Sequence, residues 1–117
     1  MAHLVRQTQK NIPQEIACGT MRKLTGVADF ANLDIAHVTI TGKTRKHYHR
    51  ILTECYYLLR GSIAVELDGV VEQLTPGSLL MIRPNTSHQA VKISAEDAEI
   101  LVICSPPWQA DDEIYVD

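Results

Sequence analysis

Two histidines separated by one residue, His47-Tyr48-His49, form the first spacing in the chain that could do chemistry. Side chains on a β-strand alternate with a period of two, so both imidazoles would point to one face, their Cα atoms ~6.5 Å apart. Rings at that separation can converge on one ion, because metal–nitrogen bonds reach ~2.0–2.1 Å. Glu54 lies five residues beyond His49. An odd separation would send its carboxylate to the opposite face of an unbroken strand, so joining the histidines requires a turn between Arg50 and Thr53. His88 follows directly on Pro84-Asn85-Thr86-Ser87, at the start of another β-rich run. Three imidazoles and one carboxylate make a mixed nitrogen–oxygen set suited to a divalent transition metal ion: Fe, Mn, Ni, Zn or Cu. Taken alone, H-x-H also describes a pair of exposed surface histidines.

The elements that must position these groups read as strands. Leu33 to Ile40 is rich in β-formers and ends at Thr41-Gly42; Glu54 to Leu59 ends at Arg60-Gly61. Ile63, Val65 and Leu67 alternate with less apolar neighbours, and Asp68-Gly69 then predicts a hairpin into Val70 to Leu74. Pro76-Gly77 turns into Leu79 to Ile82, four apolar residues that suit a strand covered on both faces, with Met81 as core filler. Pro84-Asn85 turns into His88 to Ile93, and Ala98 to Cys104 is stopped by Pro106-Pro107. A helical period fits Met1 to Gln14 only weakly. The pattern is all-β, a sandwich or a barrel.

Composition narrows the classes of function. The 117 residues are expected to form one domain; 45% are hydrophobic and 21% charged, which is globular rather than disordered composition. The longest apolar run, Ile100 to Cys104, is five residues and far too short to span a bilayer. No membrane partner is expected, and with no apolar segment near the start a cytoplasmic location is the default. The net charge of -3, with scattered Lys and Arg, argues against a nucleic-acid partner. Cys18, Cys55 and Cys104 are odd in number and lack C-x-x-C spacing, so they read as small core residues.

The stretch from Gly42 through His47, His49 and Glu54 to Gly61 resembles the first motif of the cupin superfamily. Gly77 through Pro84 and Asn85 to His88 resembles the second. The resemblance spans about residues 33–104 and implies an antiparallel jelly-roll barrel (a double-stranded β-helix) as the core of a single cupin domain over 1–117. It leaves residues 1–32 as an N-terminal arm and 105–117 as a Pro-rich acidic tail. It also implies that His47, His49, Glu54 and His88 bind the metal. Three departures stand out. Lys43 to Lys46 supplies four loop residues before His47 where five are usual, Lys92 replaces a frequent asparagine, and Asn85 stands in for glycine. Asparagine tolerates a positive φ better than most residues, so that turn should survive.

For function the resemblance implies a homodimer handling a small molecule. The protein would be a metal-dependent enzyme, a dioxygenase or a sugar or keto-acid isomerase, or else a non-catalytic module binding a carbohydrate-like ligand in a metal-held barrel. Tyr56 shares strand parity with Glu54 and Leu58, so it should face the interior, where its hydroxyl could bind substrate or its ring simply pack. Cys104 either lines the cavity or is an inert buried thiol, and Trp108 should be buried. The acidic end of the tail reads as solvated. Apart from Glu54, no acidic residue has an evident place in the cavity, so no general base can be named.

Overall fold

Eleven short strands make up two antiparallel sheets in the computed structural model, which describes residues 2–117. They are β1 (Gln14–Ile16), β2 (Gly19–Lys23), β3 (Asp34–Ile40), β4 (His47–Tyr48), β5 (Thr53–Arg60), β6 (Ile63–Leu67), β7 (Val70–Leu74), β8 (Leu79–Ile82), β9 (His88–Lys92), β10 (Ala98–Ser105) and β11 (Ile114–Tyr115). One sheet runs β1-β2-β3-β10-β5-β8 and the other β11-β4-β9-β6-β7. The expected all-β jelly-roll architecture is therefore present. None of the helices among the described residues is long and apolar enough to cross a membrane.

Local chemistry explains the turns. Asp68 and Gly69 both take positive φ, 48° and 88°, the conformation that a two-residue hairpin needs to match strand twist, and Leu67 pairs with Val70 across it. Asn85 takes φ 67°, as expected of the residue replacing glycine. On β5, Glu54, Tyr56 and Leu58 are buried while Tyr57 and Leu59 are exposed, which is the predicted parity. Between the sheets lies a core that includes Ile40, Leu58, Ile63, Val65, Ala98 and Ile100.

Several expectations are corrected. The weak helical pattern near the start yields only a short 3-10 turn at Thr8–Lys10, which buries no side chain; Met1 lies outside the described residues. Residues 14–23 are more than an arm: β1 and β2 extend the larger sheet, and a Cβ on Gly19 would overlap the Thr39 carbonyl. The β8 strand is covered on one face only. Leu79 and Met81 are 60% and 49% exposed, because β8 is an edge strand whose outer face meets no other layer. Of the cysteines, Cys18 and Cys104 are buried, whereas Cys55 is half-buried on that same outer face. Trp108 stays 42% exposed, its indole N–H donating to Glu113. The tail is not merely solvated either, since β11 pairs with β4 and Asp112 is buried.

Candidate metal centre

The smaller sheet supplies the histidines and the larger sheet the carboxylate. His47 on β4 and His88 on β9 are register partners, and their ring centroids lie 4.3 Å apart. His49 follows β4, with its ring 5.1 Å from His47 and 5.7 Å from His88. The chain then crosses between sheets through Arg50 to Leu52, which is the turn that parity demanded, and β5 brings Glu54 in from the other side. Glu54 Oε1 lies 3.1 Å from His88 Nε2 and 3.7 Å from His49 Nε2. All four side chains are buried, and one ligand atom from each falls within 4.8 Å of the others.

Hydrogen bonding orients the imidazoles for an ion. Nδ1 of His47 donates to the Arg45 carbonyl at 2.7 Å, that of His88 to the Thr86 carbonyl at 2.9 Å, and that of His49 to the Asp112 carbonyl at 2.8 Å. A carbonyl can only accept, so each Nδ1 carries the hydrogen and each neutral ring turns a bare Nε2 lone pair inward. His49 Nε2 is buried without a hydrogen-bond partner. Bare nitrogens facing a carboxylate are mutually repulsive until a cation lies between them. With bonds of ~2.1 Å, a bound ion would hold its ligand atoms ~3 to ~4.2 Å apart, so the cluster needs only a small contraction. It fits a metal site.

The electrostatics of the ion-free cluster favour a positive charge between these groups, which a proton on His49 or a metal cation can supply. Burial alone would raise the Glu54 pKa, but His49 and His88 beside it prevail and hold the carboxyl down at about 2. Burial also works against charge on His49, yet the adjacent Glu54 prevails and raises its pKa. His47 moves the other way, lowered by burial and by His88, against the pull of the Arg45 carbonyl and of Glu113.

A cavity of about 580 Å³ opens beside the cluster, and His47, Glu54, Tyr56 and Cys104 reach it. Its walls carry apolar side chains, among them Val38, Ile40, Ile100 and Val102. The buried Tyr56 ring lies 6.5 Å from that of His88; burial, with the Glu54 charge, pushes its hydroxyl pKa well up, so the proton stays on. Cys104 satisfies both of its readings. It lines the cavity, with Sγ 3.8 Å from Glu54 Oε2, and burial and that carboxylate hold the thiol protonated.

Sequence reasoning missed the contribution of the tail. Glu113 lines the cavity 3.7 Å from His47 Nε2, and Trp108 and Tyr115 both donate to it. Glu113 and Asp34 of β3 thus add carboxylates to the cavity after all. Tyr115 stacks under the Arg45 guanidinium at 3.8 Å. No local spacing announces these contacts, because they come from a segment more than fifty residues from the histidine motif.

Comparison with known proteins places the chain. Residues 36–104 match the family model described as "Cupin domain". A 42-residue stretch is 43% identical to quercetin 2,3-dioxygenase of Bacillus subtilis; the match covers 36% of this chain and only 12% of that protein. A crystal structure of a protein from Planctomyces limnophilus is similar over 98% of this chain and 97% of its own, with 26% identity and a TM-score of 0.84. The polyketide cyclase RemF from Streptomyces resistomycificus aligns over 100% of this chain and 87% of its own at 21% identity, TM-score 0.80, a likeness of fold alone. With the family model spanning most of the barrel and both histidine motifs meeting where the two sheets face each other, the chain belongs to the cupin family.

Proposed function

We propose that the protein is a metal-dependent enzyme acting on a small, largely apolar molecule, with His47, His49, Glu54 and His88 as ligands and dioxygenation as the favoured reaction. One observation carries this reading: the buried four-residue cluster borders a cavity of about 580 Å³ whose wall surface is mostly apolar. A sugar would leave any hydroxyl that faced Val38, Ile40, Ile100 and Val102 without a partner on that wall, which is costly. An aromatic or polyketide-like ring suits those walls better.

A bound ion would supply open positions for dioxygen or a substrate oxygen. The remaining roles belong to the chain. The three Nδ1–H bonds keep every Nε2 pointed inward. Glu54 offsets part of the ionic charge in a poorly solvated site. Tyr56, held protonated, donates a hydrogen bond to the substrate, and Glu113, fixed by Trp108 and Tyr115, accepts a proton at the cavity end nearest His47.

Elemental analysis of protein purified without affinity resin should find a near-stoichiometric first-row ion. Oxygen uptake on a panel of catechols and flavonols should stop on chelation and return with one metal. A ligand-dependent rise in thermal stability with no turnover would make the protein a binding module instead.

The outer face of the larger sheet supports a homodimer. Leu79, Met81 and Tyr57 are exposed together on the adjacent strands β8 and β5, and β8 is an edge with one free side. Replacing Leu79 and Met81 with Lys should convert the dimer to monomer in size-exclusion chromatography with light scattering.

A further inference from the structure

Besides Glu113 beside His47, the C-terminal tail reaches the metal cluster through Asp112, a residue with two kinds of contact. Asp112 is only 5% exposed, although it lies in a stretch that reads as solvated. Its Oδ1 accepts the backbone N–H of Arg50 at 2.9 Å and of Ile51 at 3.1 Å, while Oδ2 accepts that of Leu52 at 3.2 Å. These donors form the crossing between sheets, the very turn that puts Glu54 opposite the histidines. Leu52 is 1% exposed, so its N–H has no recourse to water if the carboxylate is removed. The main-chain carbonyl of the same Asp112 accepts Nδ1–H of His49.

We propose that Asp112 is a positioning residue for the metal centre. Its carboxylate clamps the tail onto the crossing and thereby holds its own carbonyl against His49, keeping that ring in the tautomer with Nε2 bare. The proposal rests on reading His47, His49, Glu54 and His88 as a metal site, but its effect on the ring exists with or without metal. His47 and His88 need no such help, since each donates to a carbonyl two residues earlier in its own loop. The tail is also held by β11–β4 pairing, the Val116 N–H to Lys46, the Trp108 N–H to Asp34, the Arg45–Tyr115 stack and the Arg45–Asp117 ion pair, none of which touches His49. A ring freed from the carbonyl can place its hydrogen on Nε2, where it blocks a ligand position.

The test compares wild type with Asp112→Ala and with Asp112→Asn, which keeps one carbonyl oxygen as acceptor. Circular dichroism first identifies a temperature at which each variant is folded. Imidazole nitrogen NMR of the metal-free proteins, taken at a pH high enough that His49 is neutral, should show His49 wholly Nδ1-protonated in wild type and shifted toward the other tautomer in Asp112→Ala, with His47 and His88 unmoved. Zn²⁺ titration against a competing dye should give Asp112→Ala an affinity about tenfold to a hundredfold weaker, and Asp112→Asn an intermediate one. A lower melting temperature with unchanged His49 tautomer and unchanged Zn²⁺ affinity would reduce Asp112 to a structural clamp and overturn the proposal. If wild type bound no Zn²⁺, the metal reading would fail, and the NMR result would still decide whether Asp112 positions the ring. Should Asp112→Ala not fold, Asp112→Asn alone carries both measurements.

Discussion

His88 and His49 are neighbours in the cluster but are supported from different places. His88 Nδ1 donates to the carbonyl of Thr86, within the same turn that brings the residue into β9. His49 Nδ1 donates to a carbonyl 63 residues away in sequence, on the tail. A histidine with its acceptor two residues upstream is oriented as soon as its turn forms. One that relies on a distant segment is oriented only when the whole barrel has closed. The two motif loops, with their own carbonyls, are self-sufficient; the crossing between sheets is not. The centre therefore combines a locally built half with a half assembled by tertiary contact.

The largest effect should come from removing one ligand of each kind together. His49→Ala combined with His88→Ala leaves His47 and Glu54, too few for a buried transition ion, and purified protein should lose its metal altogether by elemental analysis. Full retention would mean that the ion, if any, sits elsewhere.

Glu54→Gln should come next. It keeps the shape and an oxygen donor but leaves a divalent ion with its full charge in the barrel, so metal affinity should fall about tenfold to a hundredfold while the fold persists. The exposed Lys10→Gln serves as control. Wild-type affinity for Glu54→Gln in a dye titration would reduce the site to its histidines and remove the functional reason for the crossing.

A smaller effect separates the histidines by pH. Metal must displace any proton from Nε2, and His49, its pKa raised by Glu54, holds one more readily than His47, whose pKa burial lowers. Lowering the pH favours the protonated ring, so metal binding should weaken by at least about tenfold between about pH 7.5 and about pH 5.5. Glu54, held at about 2, stays ionised throughout that range and should contribute nothing to it. NMR titration of the metal-free protein should find His49 taking up its proton at higher pH than His47.

The smallest expected effect lies in the self-sufficient half. Asn85 combines φ 67° with an N–H donated to the His49 carbonyl at 2.6 Å. Asn85→Ala should cost about 1 kcal/mol in urea denaturation, because alanine lacks the short polar side chain that lets asparagine tolerate that conformation, whereas Asn85→Gly should be nearly neutral. Metal affinity should change little in either.

The outcomes at particular residues divide by range. Positive φ at Asp68-Gly69 and Asn85, the inward parity of Glu54, Tyr56 and Leu58, and the turn between Arg50 and Thr53 could all be read in advance. Each follows from the steric limits of one residue or from side-chain alternation over a few, and such forces act whatever surrounds them. The covering of β8 could not be read that way. Four apolar residues suit a sandwiched strand as well as an edge strand, and only the arrangement of layers leaves Leu79 and Met81 exposed. The same holds for the tail. Asp112 meets Arg50 across 62 residues, and Glu113 reaches His47 because β11 pairs with β4. A carboxylate in an acidic stretch carries no mark of the backbone it will cap; that depends on chain closure, which brings distant groups together only once the core between them has packed.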